Sequence, residues 1–262
     1  MQKGIDSIIF TIAFISSLIL ILQVVGNCFS SAENCVIEMK KQMEIVFPVL
    51  LTLLTVSGGS VSVAICKPSV AFLSTTMVGI ISKFVFPITL LIFSFSVANR
   101  LSDDFKFGKF IAVFKSLNKW IIGIAVSIFG LFFTIQGITA VAYDGIARRA
   151  AKYAIGNGVP IIGGFLSGGF DLAVAGSILI KNSLGYLGIV LMISSIFEPL
   201  ILLISTNLLL KLCSAITLPF AESKISDFLT ETADCLNYLS AGILFTAFLY
   251  FLCIVILIST TG

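Results

Sequence analysis

Long apolar runs separated by short polar stretches dominate the chain. The runs cover residues 8–25, 45–66, 69–98, 120–142, 159–180, 183–218 and 238–259. Most reach the ~20 apolar residues that a helix needs to cross the hydrocarbon core. The pattern predicts an all-α fold, a polytopic transmembrane helical bundle with about six to eight membrane segments. Residues 1–44 read as an N-terminal anchor plus a polar connection, and residues 45–262 as a multi-pass core. The first run resembles a signal segment, with Ser30-Ser31-Ala32 as a small-residue cleavage site. Its ~18 apolar residues exceed a usual signal core, which favours a retained anchor.

Not every run is a uniform rod. Residues 69–98 contain Lys83 and Pro87, and at ~1.5 Å per residue they would extend ~45 Å. A broken or strongly tilted helix, or two half-spans, is expected there. Residues 159–180 carry Pro160, Gly163, Gly164, Gly168, Gly169 and Gly176. Glycine this dense weakens a helix by ~1 kcal/mol per residue against alanine, so a broken or re-entrant element is expected. Residues 183–218 are interrupted by Glu198-Pro199 and Lys211, which suggests a span plus a half-span or hairpin. Three stretches are amphipathic. Residues 36–43 read as a short interfacial helix. Residues 100–119 place Phe107, Phe110, Phe114 and Leu117 at helical spacing among lysines, as in a helix lying among lipid headgroups. Residues 220–237 are acidic.

Composition agrees with a membrane setting. Of 262 residues, 58% are hydrophobic and 11% charged, against roughly 25% charged in a soluble domain. The net charge of +3 is spread without a basic run, which points away from nucleic acid. The basic stretches on both sides of residues 120–142 pull the positive-inside rule in opposite directions, so sidedness stays open.

Candidate chemistry is sparse. There is no histidine, which excludes a histidine base, a Ser-His-Asp triad and histidine-ligated metal. The six cysteines form no C-x-x-C pair, and no P-loop, G-x-S-x-G or H-E-x-x-H pattern is present. No catalytic residue, cofactor or metal is expected. Cys28 and Cys35 flank the polar connection, where a disulfide is conceivable in an oxidising compartment.

The informative stretch is residues 134–182. Asp144 and Arg148 are four apart with the acid first, the favoured order for a helical ion pair. Arg149 and Lys152 share a face and suit headgroup anchoring. Asp171 and Lys181 sit in apolar surroundings and need partners if buried, each other being one candidate.

The run Thr134-Ile135-Gln136-Gly137-Ile138-Thr139-Ala140-Val141-Ala142-Tyr143-Asp144-Gly145-Ile146 resembles the stage III sporulation protein AE family of endospore-forming bacteria. So do Arg149-Ala150-Ala151-Lys152, Gly156, Pro160, Gly163, Asp171 and Ser177-Ile178-Leu179-Ile180-Lys181-Asn182. Ser57-Gly58-Gly59, Lys67-Pro68, Lys211 and Leu218-Pro219 also fit, so the resemblance covers residues 45–262. The chain departs from the family pattern at Ala150, where threonine is usual, at Gly168, where a second aspartate is usual, and at Glu198, usually apolar. The family's longer extracytoplasmic N-terminal region has no counterpart, as in a short homologue or a core. The resemblance implies a subunit of the channel or secretion-like complex linking mother cell and forespore. It implies a place in the mother-cell membrane around the forespore, in contact with lipids, other complex proteins and further copies of itself. Gln136, Gly137, Asp144, Gly145, Arg149, Lys152, Pro160, Asp171, Lys181 and Asn182 become its pathway or assembly residues. A second reading is a stand-alone small-molecule or ion transporter, using the glycine-broken helix with Asp171 and Lys181.

Overall fold

The computed structural model describes residues 2–56, 60–101, 107–158, 163–218 and 223–259; for most of 2–14, and for 60–62, 65–66, 69–70, 73, 101, 133, 136–158, 163–174 and 223–224, it describes the helical backbone alone. The elements are α1 (Gln2–Val56), α2 (Ser60–Ile80), a π-helical turn (Ile81–Val85), α3 (Phe86–Leu101), α4 (Gly108–Gly158), α5 (Gly163–Thr217) and α6 (Ser223–Ser259). Among the described residues, five helical stretches are long and apolar enough to cross a membrane: Ile15–Val56, Ser74–Arg100, Gly108–Phe132, Ala175–Thr217 and Ile225–Ser259. The helical membrane class expected from the sequence holds. Five among the described residues is slightly below six to eight and compatible with it.

Residues 27–44 form neither a connection nor a separate interfacial helix, but the middle of α1. The reason is a buried stripe at helical spacing through the polar segment: Cys28, Ala32, Cys35, Met39 and Met43. The charged residues occupy the other faces, so the helix is amphipathic here rather than interrupted. Cys28 and Cys35 then lie two turns apart on one helix, ~10.5 Å along its axis, beyond the ~7 Å that a disulfide allows. Both are free.

Arg100 and Leu101 end α3 and residues 108–119 begin α4, residues 102–106 lie outside the described residues, and Phe107 and Phe114 meet protein. Phe95 of α3 lies 5.4 Å from Phe107 and 5.7 Å from Phe114, ring centre to ring centre. Residues 143–157 continue α4. The glycine-rich stretch from Gly163 is continuous helix in α5, and Pro199 sits inside α5 without opening a hairpin. Pro160 and the rest of 159–162 lie outside the described residues. The acidic residues from Ser223 onward begin α6.

At Lys83 and Pro87 the run is neither broken nor split into half-spans, and its irregularity is a π turn. Pro87 has no N–H, and its ring would clash with the carbonyl of Lys83 in a regular helix. The backbone widens instead: the Phe86 N–H bonds to the Ile81 carbonyl, five residues back. Thr89 donates to the Val85 carbonyl at 2.7 Å, and the helical path stays unbroken.

The chain divides into two compact units. One comprises Met1–Val36, Ile80–Ile122 and Phe197–Leu244; the other comprises Ile37–Gly79, Gly123–Ile196 and Phe245–Gly262. In the first, Leu18 and Val25 of α1, Ile92 and Phe93 of α3, Ile111 of α4, and Phe228 and Cys235 of α6 form a buried cluster. In the second, Phe47 of α1 meets Tyr250 of α6 edge-on at 5.5 Å. Here α5 and α6 approach closely at two glycines. A Cβ on Gly185 would overlap Ile258, at 2.6 Å from Cγ1, and one on Gly188 would stand 2.9 Å from Ile254 Cδ1. Small residues permit such approach where there is no hydrophobic drive between helices in lipid.

Replacing Gly185 with phenylalanine should therefore push α6 away and cost about 1–3 kcal/mol. Gly26→Ala, where nothing lies within 4 Å of the added carbon, should be neutral or stabilising by up to ~1 kcal/mol. Unfolding in detergent, followed by labelling of the buried Cys28, Cys35, Cys235 and Cys253 with a thiol dye, reads both. An unchanged midpoint for Gly185→Phe would contradict the close seam.

Candidate functional site

The described polar side chains concentrate at interhelical contacts. The densest group, in the first unit, joins α3, α4 and α6. Ser96 and Arg100 stand one turn apart on α3, as do Asp227 and Glu231 on α6. Arg100 donates from Nη1 to Asp227 Oδ2 at 3.4 Å and from Nη2 to Glu231 Oε1 at 3.2 Å. The Ser96 hydroxyl donates to the other oxygen of Glu231. The Arg100 side chain is only 14% exposed, so its charge depends on these carboxylates more than on water. One turn further along α6, Asp234 accepts from Lys115 Nζ of α4 at 2.9 Å. Tyr238, four residues on, donates to the Lys115 backbone carbonyl at 3.4 Å. Two basic residues thus face three acids on consecutive turns of one helix.

Below the charges the contacts are neutral. Asn118 of α4 is fully buried and donates to Thr89 Oγ1 at 2.8 Å and to the Val85 carbonyl at 3.5 Å, which ties α4 to the π turn. Asn207 of α5 donates to the Ala233 carbonyl and to Asn237 Oδ1 of α6. Ser214 of α5 shares hydrogen bonds of 2.8 Å with Ser226 and Thr230 of α6. In an apolar interior an unpaired polar group costs several kcal/mol. These pairs meet most of that need, Asn118 Oδ1 alone among their buried atoms staying without a hydrogen bond, and they fix which faces of the helices meet.

Most of the residues singled out in the sequence lie elsewhere. Gln136, Gly137, Asp144, Gly145, Arg149 and Lys152 are on the α4 backbone and Asp171 on that of α5; their side chains, and Pro160, lie outside the described residues. Asn182 is half-buried. Lys181 is fully buried in the second unit and donates to the Ile258 carbonyl at 2.8 Å. That carbonyl is in the last turn of α6, where helix carbonyls lack intrahelical donors and a cation is favoured. The sequence offers Asp171 as one candidate partner for Lys181, and the Asp171 side chain lies outside the described residues. Ten residues on one continuous helix separate them by ~15 Å. Lys181 is one turn from Gly185, where α6 packs against α5.

The Arg100, Lys115, Asp227, Glu231 and Asp234 set escaped the sequence reading. Its members fall in two stretches that looked like separate surface helices, one basic and one acidic. The one signal was their complementary sign: acids at 227, 231 and 234 repeat at helical spacing, as a helix facing a basic partner would require.

The stage III sporulation protein AE family model matches residues 1–261. A stage III sporulation protein AE of Bacillus subtilis (strain 168) is 26% identical over 258 residues, covering 98% of this chain and 65% of that protein. The chain thus spans slightly under two thirds of the length of that relative. No solved structure matches it.

Truncating Arg100 to alanine leaves Glu231 and Asp227 facing each other without a cation. The expected loss is about 1–3 kcal/mol, between the values for exposed and buried pairs. Arg100→Lys should recover only part, because one ammonium cannot hold both carboxylates as the forked guanidinium does. A double-mutant cycle of Arg100→Ala with Glu231→Ala, read by thermal unfolding in detergent, should show coupling above ~0.5 kcal/mol. Additive losses would contradict the clasp.

Proposed function

The chain belongs to the stage III sporulation protein AE family, and from that premise we infer that this integral membrane protein is a core subunit of the channel or secretion-like complex between mother cell and forespore. The observation that carries the reading is the length of its exposed apolar surface. The α5 span Ala175–Thr217 has 43 residues, a contour of ~65 Å, against a hydrocarbon core of ~30 Å. A tilt of ~40°, the upper end of the usual range, still leaves ~50 Å. Both halves expose large apolar side chains: Leu187, Val190 and Ile193 in one, Ile204, Leu208 and Leu212 in the other. The bilayer covers about half of this, and something else apolar must cover the rest.

Glu198 sharpens the point. It is exposed near the middle of the span, where a charge at the bilayer centre would cost ~2.5–3.5 kcal/mol. The cost falls away if the bilayer covers one half of α5 and Glu198 lies near its edge. The other half then faces protein, either a different membrane component or another copy of this chain. The stand-alone transporter reading loses its main feature, since α5 is continuous through the glycine stretch and Lys181 is engaged by the end of α6.

Affinity purification of the tagged chain from sporulating cells in a mild detergent should recover a stable assembly with other membrane proteins, migrating well above the monomer on a native gel. Deletion should block forespore development. Recovery of a lone monomer together with normal sporulation of the deletion strain would overturn the proposal.

A further inference from the structure

The second unit contains a cleft that the assembly argument does not use. It lies between the last turns of α1 and the first half of α2, has a volume of about 590 Å³, and is walled by Met43, Phe47, Leu51, Val56, Val63 and Ala71. Three of its four hydroxyls are already occupied by their own helices. Thr52 donates to the Pro48 carbonyl at 2.8 Å, Thr55 to the Leu51 carbonyl at 2.9 Å and Ser74 to the Ala71 carbonyl at 3.1 Å. Glu44, at one end, is held by Lys40 at 3.6 Å. What the cleft offers a ligand is therefore an apolar trough, the Thr75 hydroxyl and one cation, Lys67, which is exposed and makes no ion pair among the described residues.

We propose that this cleft binds an anionic glycerophospholipid, one acyl chain lying along α1 and the phosphate on Lys67. The dimensions agree. From Met43 to Val56 the α1 wall runs ~20 Å, and an acyl chain spans one leaflet, half of the ~30 Å core, or ~15 Å. The charge agrees as well, since a lysine beside an apolar trough complements a phosphate above a hydrocarbon tail. A lysine that merely snorkels to the headgroups would anchor the helix without selecting the molecule in the cleft. That difference makes the proposal testable.

The full chain is reconstituted in phosphatidylcholine vesicles containing a phosphatidylglycerol with a photoactivatable acyl chain. Cross-linked residues are then mapped by mass spectrometry. Labelling should concentrate on residues 43–56 and 63–75. Lys67→Met should lower it by about fivefold, the factor corresponding to ~1 kcal/mol for one lysine at an anionic surface, and Lys67→Arg should preserve it. Thr52→Trp, at an exposed position on the cleft wall, should also lower it by blocking the trough. Labelling around Leu187 and Val190 on α5 serves as the internal reference and should not change in any variant. Three results would each overturn the proposal: cleft labelling no stronger than on α5, labelling indifferent to Lys67→Met, or equal labelling from a phosphatidylcholine probe.

Discussion

Exposed apolar surface needs an apolar neighbour, and a bilayer supplies only ~30 Å of hydrocarbon. The five spans differ in how they meet this limit. In α6, 56% of its most apolar window is buried within the protein, against 22% for α1 and for α5 and 17% for α4. α6 is thus solvated mainly by its own chain, and α5 mainly by whatever surrounds it. An apolar span of 43 residues on a poorly covered helix exceeds what one bilayer crossing accommodates. From this follow the reading as an assembly subunit and the significance of Glu198 at the middle of that span.

Inside the bundle the same physics acts on polar groups. Lipid tails are as apolar as leucine, so burial alone does little to choose which helix faces meet. Selection falls to contacts that are costly to leave unmade. Arg100 with Glu231 and Asp227, Lys115 with Asp234, Asn118 with Thr89, and Asn207 with Asn237 each join two different helices. Lys181 performs the same task for the end of α6, where the glycines at 185 and 188 bring the helices close enough for its ammonium to reach a terminal carbonyl. Stability from any one pair is small. What the pairs exclude are the other rotations and registers of the helices.

The helical membrane class was legible in the sequence because it rests on apolar run length, which composition carries directly. The irregularity before Pro87 was legible for a similar reason: a missing N–H and a ring clash are local facts. The segment boundaries were not. Residues 27–44 and 143–157 look like loops when polarity alone is counted, yet polar residues continue a helix at no great cost when one face stays buried, as Cys28, Ala32, Cys35, Met39 and Met43 do. The charged clasp was hidden for a different reason. Arg100 and Glu231 are 131 residues apart, and no local pattern reports a partner on another helix. Lys181 was singled out as a charge that needs a partner if buried. One partner is a backbone carbonyl, which has no sequence signature.

The central claim is that protein, not lipid, covers one half of α5. A photo-crosslinking amino acid placed in turn at Leu187, Val190, Ile193, Ile204, Leu208 and Leu212 tests it directly in sporulating cells. The account predicts protein cross-links from the positions on one side of Glu198 and none from those on the other. Absence of protein cross-links from both sides would contradict it.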